Sequence, residues 1–157
     1  MRGKPKFKRR ENSPDSKYHS PIVAKFINQV MRRGKKSTAQ KIVYQAFEKA
    51  EKKLEKPALD IFENALVNVG PALEVRSRRI GGANYQVPME VKKDRRLTLA
   101  MRWLVESARD KQGKNMTEFL AQELIEAYQN TGNAVKKKQD MMKLAEINRA
   151  FAHYARY

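Results

Sequence analysis

The chain has 157 residues, no cysteine, and 34 Lys and Arg against 17 Asp and Glu, a formal net charge of +17. That length suits one compact domain, spanning 1–157, with a core of its own, and the missing thiols exclude a disulfide framework and every cysteine-ligated metal site. The charge far exceeds what solubility requires and points to a polyanion, while no run approaches the roughly 18 apolar residues of a membrane span, so no membrane partner is expected.

Residues 1–13 form a basic tail in which Arg2, Lys4, Lys6, Lys8, Arg9 and Arg10 precede the first acid, Glu11. Such a block is either an arm that orders on phosphates or a solubilising leader. No apolar stretch follows it as in a secretory signal, so the expected location is the cytoplasm. Ser20 and Pro21 read as N-cap and first residue of a helix carrying Ile22, Val23, Phe26, Ile27 and Val30 at three-and-four spacing and ending at Gly34. Its opposite face bears Lys25, Arg32 and Arg33. Ser37-Thr38-Ala39-Gln40 resembles a capping box for a second helix, with Ile42, Val43, Ala46, Phe47, Ala50 and Leu54 inward. Pro57 opens a third, with Leu59, Phe62, Leu66 and Val69 inward, and Gly70-Pro71 stops it.

From Leu73 to Val91 the period falls to two. Leu73, Val75 and Ser77 alternate with Glu74, Arg76 and Arg78, and Tyr85, Val87, Met89 and Val91 alternate with Gln86, Pro88 and Glu90. Gly81, Gly82, Ala83 and Asn84 supply the turn, which makes this stretch an antiparallel hairpin. A lone hairpin is marginal in water, so it is either an ordinary surface hairpin or an arm that lays Arg76, Arg78, Arg79 and the Tyr85 ring against a polyanion. A fourth helix then runs from Asp94 towards Gly113. Leu97, Met101, Leu104 and Ala108 face inward, Arg95, Arg102 and Arg109 outward, and Trp103 serves packing in preference to base stacking. Asn115 can cap a fifth helix with Met116, Phe119 or Leu120, Leu124 and Ala127 inward. Thr131-Gly132 precedes a sixth with Val135, Met142 and Ala145. The expected fold is mainly α, six helices with a two-stranded arm between the third and fourth.

Gly34-Lys35-Lys36-Ser37 suggests a phosphate-binding loop, but Gln29 stands where the pattern requires glycine and no strand precedes it. What remains is either a plain turn or a basic turn before a helix N-terminus, where free amides and the dipole favour phosphate. Lys92, Lys93, Arg95 and Arg96 concentrate charge at the root of the arm. Lys136-Lys137-Lys138 is spread around its helix and carries less weight. Several basic runs thus converge on one RNA-facing side. No catalytic triad, dinucleotide turn or metal cluster is present in the sequence, His19 and His153 being far apart, so neither an enzyme nor a cofactor is expected.

KFINQVMRRGKKSTAQKIVY at 25–44, EVRSRRIGGANYQVPMEV at 74–91, RRLTLAMRWLVESAR at 95–109 and AEINRAFAHYARY at 145–157 closely resemble the family of bacterial small-subunit ribosomal protein seven. The resemblance implies a monomer within the ribosome that binds the head domain of small-subunit ribosomal RNA and nucleates head assembly. It implies an arm, with Arg78, Arg79, Gly81, Gly82 and Asn84, beside exit-site tRNA and the mRNA exit path, with ribosomal proteins nine, eleven and thirteen as neighbours. By the same resemblance, RNA contact falls on Arg2 to Arg10, on Gly34, Lys35 and Lys36, on Arg76, Arg78 and Arg79, on Lys92 to Arg96 with Arg102, and on Lys114, Asn115 and Met116. A C-terminal tail, 149–157, would lie near tRNA and protein eleven. A messenger-binding repressor, a free RNA chaperone and a helical nucleic-acid enzyme stand as alternatives.

Overall fold

Three phenylalanines from three consecutive helices meet at the centre of the molecule. Phe62 packs with its ring centroid 4.8 Å from Phe26 and 5.1 Å from Phe47, and each is essentially inaccessible to water. The structure, a computed structural model, describes residues 13–156. Its elements are α1 (Pro21–Val30), α2 (Lys36–Leu54), α3 (Ala58–Val69), β1 (Leu73–Ile80), β2 (Ala83–Glu90), α4 (Lys93–Asp110), α5 (Met116–Tyr128), α6 (Gly132–Ile147) and a 3-10 helix (Arg149–Arg156). The mainly helical class and the hairpin between the third and fourth helices agree with the sequence. The number of helices does not: among the described residues there are seven, because Arg149–Arg156 of the expected tail coil into a 3-10 helix.

α5 is the axis of the body. Phe119, Leu120, Ala121, Leu124, Ile125 and Ala127 are buried around most of its circumference, and α2, α3, α4 and α6 all pack on it. A helix apolar on nearly every side belongs inside, whereas α1, α3 and α4 bury one stripe each. Trp103 is buried in that core, as its size and apolarity imply.

Three boundaries shift for local reasons. α1 stops at Val30, and Arg33 (φ 51°) and Gly34 (φ 74°) then make a left-handed turn that lets α2 begin at Lys36. Ser37 therefore lies inside the first turn, and no side chain caps α2, so the expected capping box is absent. In the hairpin, Ile80 pairs with Ala83, leaving only Gly81 (φ 56°) and Gly82 (φ 90°) as the turn. Two positive φ angles in a two-residue loop match the twist of the flanking strands. Ala83 and Asn84, expected in the loop, belong to β2.

The register settles which hairpin faces combine. Glu74 opposes Met89, Arg76 opposes Val87 and Arg78 opposes Tyr85, so the charged face of β1 and the apolar face of β2 are one face. α6 and the 3-10 helix pack on the hairpin. Val87 is fully buried and Glu74 is only 7% exposed.

Candidate nucleic-acid interface

The left-handed turn after α1 carries Arg32, Arg33, Gly34, Lys35 and Lys36, all exposed. Arg32 and Lys35 share a cleft of about 290 Å³ with Arg109 of α4 and Met116 of α5, floored by Val30, Ala39 and Ile42. Two helices begin here, α2 after Lys35 and α5 after Asn115, and neither N-terminus has a side-chain cap. Uncapped amides and three cations around one concavity give an anion-binding geometry. Arg109 is pushed below its ordinary pKa by burial and then by the charge of Arg32, and the guanidinium stays protonated.

Arg109 is not the outward-facing residue its helical position implied. Its Nη2 donates to the Val30 carbonyl at 3.0 Å, satisfying an acceptor left open by the end of α1. Arg96 behaves similarly at the end of α3, donating from Nε to the Gly70 carbonyl at 3.1 Å and from Nη2 to the Val67 carbonyl at 3.5 Å. A Cβ at Gly70 would stand 2.9 Å from Arg96 Cγ, so a larger residue there would push the Arg96 side chain out of this position.

At the root of the arm, Glu74 gathers two expected RNA contacts. Arg76 is ion-paired with it, and Arg95 reaches its other oxygen at 3.3 Å. Arg78 donates to the Tyr154 carbonyl at 3.4 Å, and the Tyr85 ring lies against Phe151 and Tyr154. Lys137 and Lys138 are likewise engaged, with Glu106, Asp110 and the Asn68 carbonyl.

The expected contacts therefore fall into two groups. Lys25, Arg32, Arg33, Lys35, Lys36, Arg79, Lys92, Lys93, Arg102 and Lys114 are exposed and, among the described residues, have no acidic or hydrogen-bonding partner for their side chains. Arg76, Arg78, Arg95, Arg96, Arg109 and Tyr85 are tied into the fold. Gly81, Gly82 and Asn84 are exposed at the arm's tip, Asn115 is exposed and Met116 packs partly on the core. The positions expected at Arg2, Lys4, Lys6, Lys8, Arg9 and Arg10 lie outside the described residues.

The family model of ribosomal protein S7p/S5e matches residues 2–149 of this chain. The chain belongs to the ribosomal protein S7p/S5e family. Among its relatives, the small ribosomal subunit protein uS7 of Roseiflexus sp. (strain RS-1) is 60% identical over 149 residues, 95% of each chain. That of Chloroflexus aggregans is 60% identical over 148 residues, 94% of each, and that of Thermotoga neapolitana is 56% identical over 146, covering 93% of this chain and 94% of its own. As a ribosomal protein S7p/S5e the chain is a structural and not an enzymatic component, and its place is the ribosome in the cytoplasm.

In this ribosomal protein the acids are what sequence reading missed. Asp15, 4% exposed, accepts from Tyr44 Oη at 2.6 Å and from the backbone amides of Lys17 and Tyr18 at 3.1 Å each. Burial opposes its charge more than any single hydrogen bond favours it, but the bonds together win and its pKa is lowered. Asp15 thus fixes the segment that leads from the basic tail to α1. Glu123, fully buried, meets Lys111 Nζ at 2.8 Å and accepts from the Ala134 amide at 3.4 Å. The only sequence signal for Asp15 was its place two residues after Ser13, in a turn-forming run; for Glu123 it was a charge on the apolar stripe of α5.

Proposed function

We propose that the chain is a structural constituent of the small ribosomal subunit, one ribosomal domain that binds the head domain of small-subunit ribosomal RNA and nucleates assembly of the head. Family membership supports the ribosomal role. The observation that carries RNA binding is the cleft of Arg32, Lys35 and Arg109 between two uncapped helix N-termini, where Arg32 and Lys35 have no side-chain partner among the described residues and Arg109 is held by the Val30 carbonyl. Each phosphate neutralised there releases condensed counterions, which gives affinity but no sequence preference. Preference comes from RNA shape, 2′-hydroxyls and unstacked bases, because the deep groove of duplex RNA hides its base edges from side chains. The arm, with Arg79, Gly81, Gly82 and Asn84 at its exposed end, is assigned to exit-site tRNA and the mRNA exit path. Ribosomal proteins nine, eleven and thirteen are assigned as neighbours; these finer partners rest on the family resemblance.

Footprinting on isolated small-subunit ribosomal RNA across a salt series, comparing the intact chain with one lacking residues 1–13, tests this reading. Protection confined to the head domain, with a shallower salt slope after truncation, is the expected result. Diffuse protection without a preferred site would leave charge as the sole basis of binding and end the specific-site account.

A further inference from the structure

Tyr85 sits with its ring centroid 5.3 Å from Phe151 and 5.2 Å from Tyr154, and those two rings lie nearly parallel, 14° apart in plane. Arg78, directly opposite Tyr85 in the hairpin, donates to the Tyr154 carbonyl. The last helix therefore covers an aromatic face and a guanidinium side by side, the pair of groups on which an unstacked RNA base rests most readily. The cover is weakly held. It is a 3-10 helix of 8 residues, longer than that geometry usually sustains, and none of its described residues is fully buried. Just before it, Ile147 is 79% exposed, so α6 gives the junction little apolar anchorage.

We propose that the Arg149–Arg156 helix is a displaceable cover over a base-stacking surface made by Tyr85 and Arg78, and that a single-stranded segment of RNA takes its place. This rests on the RNA-binding reading above. The free protein then holds its arm closed, with three half-buried rings packed together. The bound protein exchanges two of those rings for a base, and its last residues are released. A cover closed nine times in ten lowers the apparent affinity of that surface about tenfold, and loosening it restores the loss.

Two measurements on the full chain with isolated small-subunit ribosomal RNA test the exchange. Amide hydrogen exchange across 149–156 should speed up when RNA is added, and Phe151→Ala/Tyr154→Ala should bind about three- to tenfold tighter, with the gain erased by adding Tyr85→Ala. Slower or unchanged exchange of those amides overturns the proposal. So does a double variant that binds no tighter while its strand amides stay protected; if they lose protection, exchange in the unmutated chain decides. No saturable binding by any of these chains brings down the RNA reading itself, whereas tight binding with an undisplaced cover removes only this inference.

Discussion

At Asp15, one carboxylate holds three donors in the segment that Tyr18 packs onto the core. Hydrogen bonds to a charged group contribute about 1.5–3 kcal/mol each before the cost of burying it, and Asp15→Ala should lower stability by about 2 kcal/mol at pH 7 in urea unfolding. Because the folded pKa is depressed, that contribution is fully present above the unfolded value near 3.9 and fades as pH falls through the folded one. The gap between wild type and variant should accordingly narrow at pH 3; a constant gap would show that packing, not charge, is lost. Lys111 offers the opposite case. Burial is the largest single influence and lowers its pKa, yet hydrogen bonds to Glu123 and Glu126 and their charges outweigh it, so the ammonium is held above its usual range. Its contribution is present below the unfolded pKa of about 10.4 and lost as pH rises through the folded value. Lys111→Met strands the buried Glu123 charge and should cost about 3–5 kcal/mol, whereas Lys17→Met, which breaks an exposed pair with Glu48, should cost under about 1 kcal/mol. Thermal melts of the two variants side by side check the contrast.

Among the elements, the hairpin shows both the reach and the limit of pattern reading. Period two and the glycine pair announced the strands and the turn, since side-chain alternation and positive φ are local properties. Which face of β1 would turn inward was not legible. Glu74 and Arg78 lie on the packed side, and only the cross-strand register, fixed by a two-residue turn, places them opposite Met89 and Tyr85. Replacing Gly82 (φ 90°) with Val should cost about 1–3 kcal/mol of local hairpin stability and speed amide exchange in β1 and β2, leaving the exchange of α5 unchanged. Equal acceleration in α5 would mean that arm and body open together. The α1–α2 turn carries the same lesson. Gly34 marks a break, but Ser37 and Gln40 mimic a helix start because the sequence gives no sign that Arg33 also takes positive φ and brings the start forward.

Across the whole molecule, charge was the most legible property and its distribution the least. Residues 1–12 hold six cations and one acid, so +12 of the +17 belongs to the remainder of the chain. Within that remainder, a run of arginines in sequence is sorted by the fold into those that cap carbonyls or pair with Glu74 and those left free. Composition is blind to this division because the acceptors come from distant elements. Binding to small-subunit ribosomal RNA should register it: Arg32→Ala and Lys35→Ala should each flatten the log–log salt dependence by about 0.7–0.9 units. Arg96→Ala should leave that slope nearly unchanged and instead lower the melting temperature, since its cation is spent on the end of α3. A slope change at Arg96 equal to that at Lys35 would refute the division.

The contact between Tyr85 and the C-terminal helix also bears on how the chain is made. Synthesis delivers the arm well before the residues that cover it, and at roughly 5–20 residues per second the interval from Glu90 to Tyr154 lasts several seconds. During that time the nascent hairpin lacks the rings that pack on Tyr85, and for most of it α6, its other support, is incomplete. The arm thus completes its native contacts only when the last helix has been made, although it lies in the middle of the sequence.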